Sequence, residues 1–455
     1  MKTEIEKSFL FERMPVKKAV LKQIVPSILS QMIVLIYNLA DTYFVGMLND
    51  PAQTAAVTVS YPVFVMLTAI SNLFAVGGAS LVARSLGQKD EDTARHISSV
   101  SFWCGLGCAV IFSFLFRMTA SPVLRLCGAT EATYDVTLRY AKWAVVAGGA
   151  GTILNVLLAD LIRSEGNAVI AAFGVSLGGF ANLILDPLFI LPDFLGLGAE
   201  GAGLATALSN LLATLFFLIY IYARHQATVI NVLPHHMKYA PNYVGKIVTI
   251  GIPSAIQYSL TVAAVASLSK FVSGYGTEAV AGLGIVKKLD QLPLYFSIGV
   301  ANGLLPLLAY NFSSGDQKRR HNAFLFGSAI SFAFSLLCLV CYETFAPVLA
   351  GLFIDDAVTI AYGAKFLRIM VIAMPMMSLC YPLIIQFQAM GNVKESLICS
   401  VLRKGVIDIP LLFLMDSLIP LYGCMTVQPI VDSISLIVAV YFYRRIHRAS
   451  LASAA

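Results

Sequence analysis

The residues of this chain best placed to do chemistry are acids and amides stranded inside long apolar runs. Asp41 lies 15 residues beyond Pro26 in one such run, roughly 22 Å along a helix. Asp186 stands in another, immediately before Pro187, and Asn182 precedes it by four residues, so the two side chains share a helix face. Thr206 falls a short way into the next apolar run. An ionisable group at membrane depth is costly and normally faces a cavity or another polar group. Two carboxylates, an amide oxygen and a hydroxyl at one depth would make an oxygen-rich Na+ site. Equally, two close carboxylates in a low dielectric would share a proton. The plainer reading is that Asp186 merely ends a helix ahead of Pro187 while Asp41 reaches to the surface. The match in depth favours a shared cation or proton site.

The elements that must position these residues are membrane-spanning helices. Of the 455 residues, 58% are hydrophobic and only 12% charged, with a mean hydropathy of +0.80. That is too few charges to cover a surface facing water, so lipid is the solvent for most of the chain. Apolar runs predict all-α structure with about twelve spans: 20–46, 54–84, 97–119, 134–160, 167–190 and 199–223, then 247–273, 279–310, 323–345, 361–387, 394–415 and 420–443. The first run is read as a retained helix rather than a signal peptide, because no small-residue cleavage site follows it. The polar stretch between the two sets predicts an amino-terminal lobe over 1–224, a cytoplasmic linker over 225–246 and a carboxy-terminal lobe over 247–455.

Charge placement gives the orientation. Lys and Arg number 31, and 20 of them fall at the two ends of the chain and in the loops on the same side, from Lys2 and Lys7 to Arg448. By the positive-inside rule both termini are expected in the cytoplasm, in a multi-pass protein of the cell (inner) membrane. The net charge of +6 is thereby a topology signal, and no nucleic-acid partner is expected. All six histidines fall in segments on that same side, so none is expected to relay protons at membrane depth. The eight cysteines are scattered, mostly within apolar runs, and read as buried packing residues. No nucleophile–base pair, metal-ligand spacing or nucleotide loop stands out, so neither an enzyme nor an ATP-driven pump is expected.

The two sets of spans also resemble each other. Val25-Pro26-Ser27 opens the first span and Ile252-Pro253-Ser254 the seventh. Pro26 and Gly166 are 140 residues apart, and Pro253 and Gly391 are 138 apart. Six spans per repeat is an even number, so the halves share an orientation and should form two bundles with a cavity between them. The second half departs from the first in its charges. Its first span has no acid, and Leu268 stands near the place of Asp41. Instead it carries Lys287, Lys288 and Asp290 in one span and Arg403 and Lys404 in another. Pairing of a lysine with Asp290 would be structural; cavity lining would set substrate charge preference. Tyr37, Asn38, Gln257, Lys287, Lys288, Asp290 and Arg403 are the candidate cavity residues. Gln257, Gln386 and Gln388 read equally as interhelical hydrogen-bonding groups.

The stretches YNLADTYFVG (Tyr37–Gly46), LVARSLGQKD (Leu81–Asp90), NLILDPLFI (Asn182–Ile190), GAEGAGLATALS (Gly198–Ser209) and LLAYNFSSGD (Leu307–Asp316) together resemble the multidrug and toxic compound extrusion (MATE) family. The resemblance implies two pseudo-symmetric six-helix bundles forming a V-shaped cavity that alternates between the membrane faces. It implies export of small amphipathic, often cationic compounds by a monomer, in exchange for H+ or Na+ and without another cofactor. It also implies a cation site at Asp41, Asn182, Asp186 and Thr206, and bending of the first helix at Pro26. Acids that one branch of the family carries in the seventh and tenth helices have no counterpart here, which argues against a second cation site. Flipping of a lipid-linked precursor is the rival expectation, kept open by the basic set Lys287, Lys288, Arg403 and Lys404.

Overall fold

The structure is a computed structural model that describes residues 9–452; Lys2 and Lys7, counted above toward the orientation, lie outside the described residues. Every regular element among the described residues is helical. The first half comprises α1 (Val16–Gly46), α2 (Pro51–Gly87), α3 (Glu91–Leu126), α4 (Tyr134–Ala141), α5 (Gly149–Ser164), α6 (Ala168–Ile190) and α7 (Ala199–Ala223). The second comprises α8 (Ala240–Ser273), α9 (Thr277–Ser313), α10 (Gln317–Gly351), α11 (Ala357–Val371), α12 (Met374–Met390), α13 (Val393–Arg403), α14 (Asp408–Leu418) and α15 (Tyr422–Ala452). Among the described residues nine helices are long and apolar enough to cross a membrane, or eleven spans if α4 with α5 and α11 with α12 each count as one bent span. Lipid is the natural cover for their outer faces: on α3, Val110, Ile111, Phe114 and Leu115 are each more than half exposed.

Three departures from the apolar pattern have local causes. The span expected over 394–415 is broken between α13 and α14, where Gly405 takes a φ of 108° that other residues rarely adopt. The side chain of Asp408, the first residue of α14, accepts from the Gly405 amide at 2.7 Å and holds the turn ahead of the restart. The span expected over 134–160 is interrupted by π-helical turns at Lys142–Ala147, and the axis bends by 45° there. Finally, α8 begins at Ala240, several residues inside the stretch read as linker, and a short 3₁₀ helix (Pro234–Tyr239) leads into it.

The halves meet chiefly along two crossings, α1 with α9 and α2 with α8, and α2 also packs on α9. Both depend on glycine, because only a missing Cβ lets two backbones touch. A Cβ on Gly299 would lie 2.7 Å from the Cα of Ile28, and one on Gly303 equally close to the Cα of Ile24. On the other crossing Gly77 abuts the Ile247 carbonyl and Gly251 the Leu73 carbonyl. Ser80 adds a hydrogen bond to the Gln388 carbonyl at 2.9 Å, and Gln388 donates to Ser254 at 2.8 Å. All these contacts lie toward one end of the molecule, the end at which α1 starts.

That end carries a strap, a π-helical turn at Phe9–Arg13. Phe11 is 1% exposed and stacks on Tyr310 of α9 with ring centroids 4.5 Å apart. Glu12 accepts from the Tyr310 hydroxyl at 2.7 Å and pairs with Lys89 in the α2–α3 loop. Arg319, at the start of α10, donates to the carbonyls of Phe11 and Leu10. The strap therefore ties the first half, through Lys89, to the second, through Tyr310 and Arg319. The hydrogen bonds from Lys89 and then Tyr310 hold the Glu12 carboxyl below its ordinary value of 4.5. A depressed carboxylate contributes fully above that value and loses its contribution as the pH falls through the lowered one. Docking is therefore at full strength at neutral pH. Because the pair is largely exposed, Glu12→Gln should raise hydrogen–deuterium exchange of residues 9–13 only about two- to fivefold at pH 7. Unchanged exchange would show that Glu12 does not hold the strap.

Candidate functional site

Pro26 lies inside α1, which runs unbroken past it, and the missing N–H leaves the turn before it short of one backbone bond. Two faces of α1 matter beyond that point. Ile33 and Tyr37 pack on Gly179 of α6, while Ile24 and Ile28 pack on α9. Asp41, one turn past Tyr37, sits at the edge of the first face and toward the second. On α6, Asn182 and Asp186 continue the Gly179 face at helical spacing. Both are buried, Asn182 at 1% and Asp186 at 0% exposure. The Asn182 amide donates to Asp186 Oδ1 at 3.2 Å.

The helix does not stop ahead of Pro187. It continues one turn further to Ile190, so Asp186 lies inside the helix and the plainer reading of it as a terminator is overturned. Asp41 is half-buried, and its Oδ1 is buried with no hydrogen-bond partner among the described residues. The same holds for Asn182 Oδ1 and Asp186 Oδ2. Asp41 lies within electrostatic range of Asp186 across the α1–α6 contact. Thr206 is buried, 7% exposed, on α7, the helix packed against α6. The structure thus brings Asp41, Asn182 and Asp186 together and leaves Thr206 one helix away. Three unsatisfied buried oxygens in one place are unusual, and their common need is a proton or a cation.

Tyr140 is the member of this neighbourhood that sequence reasoning missed. It is 6% exposed and feels Asp41 and Asp186 together with Tyr37. An aromatic in an apolar run gives no signal by itself, and the π-helical turns that follow it shift the phase on which a helical reading relies. Tyr37 is half-buried beside the acids. Asn38, one residue on, donates across to Tyr295 of α9 at 3.3 Å.

In the second half the charged residues form a network of their own. Arg403 Nε bonds Asp432 Oδ1 of α15 at 3.0 Å, with both side chains 1% exposed. The guanidinium also lies 4.2 Å from the centroid of the Tyr381 ring. Arg403 is therefore packed inside the half, not on a cavity wall. Lys287 donates to Gln428 of α15 at 3.4 Å and, with Lys404, lies within electrostatic range of Asp290. Asp408 and Asp432, which complete the network, went unremarked in the sequence. Asp408 is a helix start hidden by the α13–α14 break, and Asp432 is one acid in a long apolar run. Gln257, 8% exposed, accepts from Ser400 at 3.4 Å, and so joins helices as the glutamine reading expected.

A helical membrane protein made of two similar halves, each with its own buried polar centre, is the architecture of a two-lobed transporter. The comparisons with known proteins agree. The MatE family model matches twice, over residues 26–188 and 253–414. The chain belongs to that family. It is 29% identical over 434 residues to multidrug export protein MepA of Staphylococcus saprophyticus subsp. saprophyticus, covering 95% of each chain. The same identity holds over 436 residues with MepA of Staphylococcus aureus, again over 95% of each. Among solved structures, a multidrug resistance MATE family transporter of the MOP superfamily in an outward-facing conformation superposes with a TM-score of 0.89, at 24% identity over 96% of this chain and 97% of that one. A MATE structure in a straight conformation gives 0.90 at 24% identity, covering 98% of both chains. These structural likenesses establish the fold.

The buried ion pair makes a clean stability prediction. Arg403→Met alone leaves Asp432 charged, buried and alone, and should cost about 3–5 kcal/mol. Arg403→Met with Asp432→Leu should recover most of the loss, read as thermal unfolding of the purified protein. Equal losses in single and double variants would mean the pair is not coupled.

Proposed function

We propose that this chain is a secondary active multidrug efflux transporter that exports small amphipathic, cationic compounds by antiport with H+ or Na+ through alternating access. The observation that carries the reading is the group of partnerless buried oxygens on Asp41, Asn182 and Asp186. A proton or a single Na+ supplies what they lack, with Thr206, on the helix packed against α6, as a further oxygen donor. MepA, which is 29% identical along nearly the whole chain, is named a multidrug export protein. That favours drugs over other cargo.

In the proposed cycle a cation from outside enters the first-half site and neutralises the acid pair. Neutralisation favours the state that releases substrate outward, and loss of the cation to the cytoplasm resets the protein. One charge moving down 100 mV supplies about 2.3 kcal/mol, enough to hold a substrate gradient of a few tens of fold. Among the described residues, every side-chain hydrogen bond between the halves falls between the strap and the level of Asn38. With the strap end in the cytoplasm, as the lysines and arginines suggest, this is a state closed inward. Binding to a single chain in the bilayer suffices for this cycle, and no nucleic acid or other cofactor enters it.

The flippase reading needs a broad basic cavity for a pyrophosphate. Arg403 is paired with Asp432 and Lys287 is turned to Gln428, so that cavity loses two of its four cations. The drug reading is the better supported. It is tested by dye efflux from vesicles with pH and sodium gradients imposed separately, using wild type and Asp186→Asn. The variant should reach the membrane in normal amount and export dye only at the background rate. Wild-type efflux by Asp186→Asn would count against the assigned site.

A further inference from the structure

Lys288 is a charge that neither the acid pair nor the Arg403 network accounts for. On α9 it shares a face with Tyr295, Gly299 and Gly303, which follow it at seven-, four- and four-residue steps. That face looks at α1. Gly303 touches Ile24, Gly299 touches Ile28, and Tyr295 accepts from Asn38. The numbers rise on α1 as they fall on α9, so the two helices are antiparallel. From Gly299 to Lys288 is 11 residues, roughly 16 Å of rise. From Ile28 to Asp41 is 13, roughly 20 Å, and a lysine side chain spans the difference. Lys288 therefore reaches the level of Asp41 from the opposite half. The two lie within electrostatic range of each other, yet no ion pair closes the gap among the described residues. The adjacent Lys287, a third of a turn round, points instead to Gln428 within its own half.

We propose that Lys288 is a tethered countercation for the Asp41–Asp186 pair, and that it makes the cleft selective for monocations over dications. The inference rests on the reading of that pair as the coupling site. Two carboxylates carry a charge of −2 when both are ionised. A fixed ammonium across the cleft brings the local sum to −1, which one proton, one Na+ or one singly charged drug balances. A dication would leave an excess positive charge in a poorly solvated space and meets repulsion from Lys288 on both of its charges. Because Lys288 sits on the other half, its hold on Asp41 also changes as the halves rock. The selectivity is thus imposed in the state in which α1 and α9 face each other at this level.

Ethidium and propidium share one ring system and carry one and two positive charges, so their ratio isolates charge. Purified, monodisperse protein is titrated with each dye by fluorescence, for wild type, Lys288→Met and Lys288→Arg. Wild type should prefer ethidium. Lys288→Met should move the ratio of dissociation constants toward propidium by about tenfold, the effect of one unit charge several ångströms away at intermediate dielectric. Lys288→Arg should keep the wild-type ratio. A Lys288→Met ratio equal to wild type, or an equal shift in Lys288→Arg, overturns the role of Lys288 while leaving the export reading intact. Wild-type protein that binds neither dye contradicts both. If Lys288→Met is not monodisperse, Lys288→Gln is titrated in its place and the same outcomes decide.

Discussion

Two carboxylates held side by side in an apolar bundle demand a partner, and much else in this molecule is arranged around that demand. Asp41 and Asp186 sit on helices that approach closely because Gly179 offers no side chain to Ile33 and Tyr37. Asn182 satisfies one oxygen of Asp186 and no more. Among the described residues no arginine or lysine forms an ion pair with either acid, as Arg403 does with Asp432. The contrast between the two halves is the telling point. In one, a buried acid is ion-paired with Arg403 through one of its oxygens. In the other, the acids are left for something mobile.

A mobile partner does work only if its arrival changes the packing of the halves. The contacts between them are of the kind that can separate as rigid bodies. They combine backbone-to-backbone crossings through Gly299, Gly303, Gly77 and Gly251 with a buried apolar cluster that both halves share, Ile24 and Phe74 of the first with Ile247 and Leu304 of the second. Polar ties are concentrated at one end, where the strap at Phe9–Arg13 reaches both halves through Lys89, Tyr310 and Arg319. Toward Asp41 and Lys288 such ties run out. The site is therefore placed where the separation of the halves is felt most, and the closure is placed at the other end.

Much of this was legible before any coordinates. Apolar run lengths and the recurrence of Pro26 and Gly166 as Pro253 and Gly391 were enough for the helical class and the repeat, because lipid forces the backbone to satisfy itself within each span. Asp41, Asn182 and Asp186 were legible because a polar group in a long apolar run is conspicuous. What stayed hidden depends on phase and on breaks. A run of apolar residues looks the same whether it is straight, bent at Gly148 or interrupted at Gly405, so α4–α5 and α13–α14 could not be read as broken. Tyr140 went unnoticed because tyrosine is unremarkable in such a run. Arg403 looked like a cavity residue because nothing near it in sequence hinted at Asp432, 29 residues on. Lys287 and Lys288 were conspicuous as a pair, yet their opposite directions follow only from which neighbours α9 packs against.

The central claim is that Asp41 and Asp186 hold one cation between them. A double-mutant cycle on cation binding addresses it most directly, with Asp41→Asn, Asp186→Asn and the double variant compared by the fluorescence change that Na+ or acidification induces in the purified protein. A single shared ion makes the losses strongly non-additive: either substitution removes the signal and the second removes nothing more. Two partial losses that simply add, each variant keeping its own cation response, would contradict it.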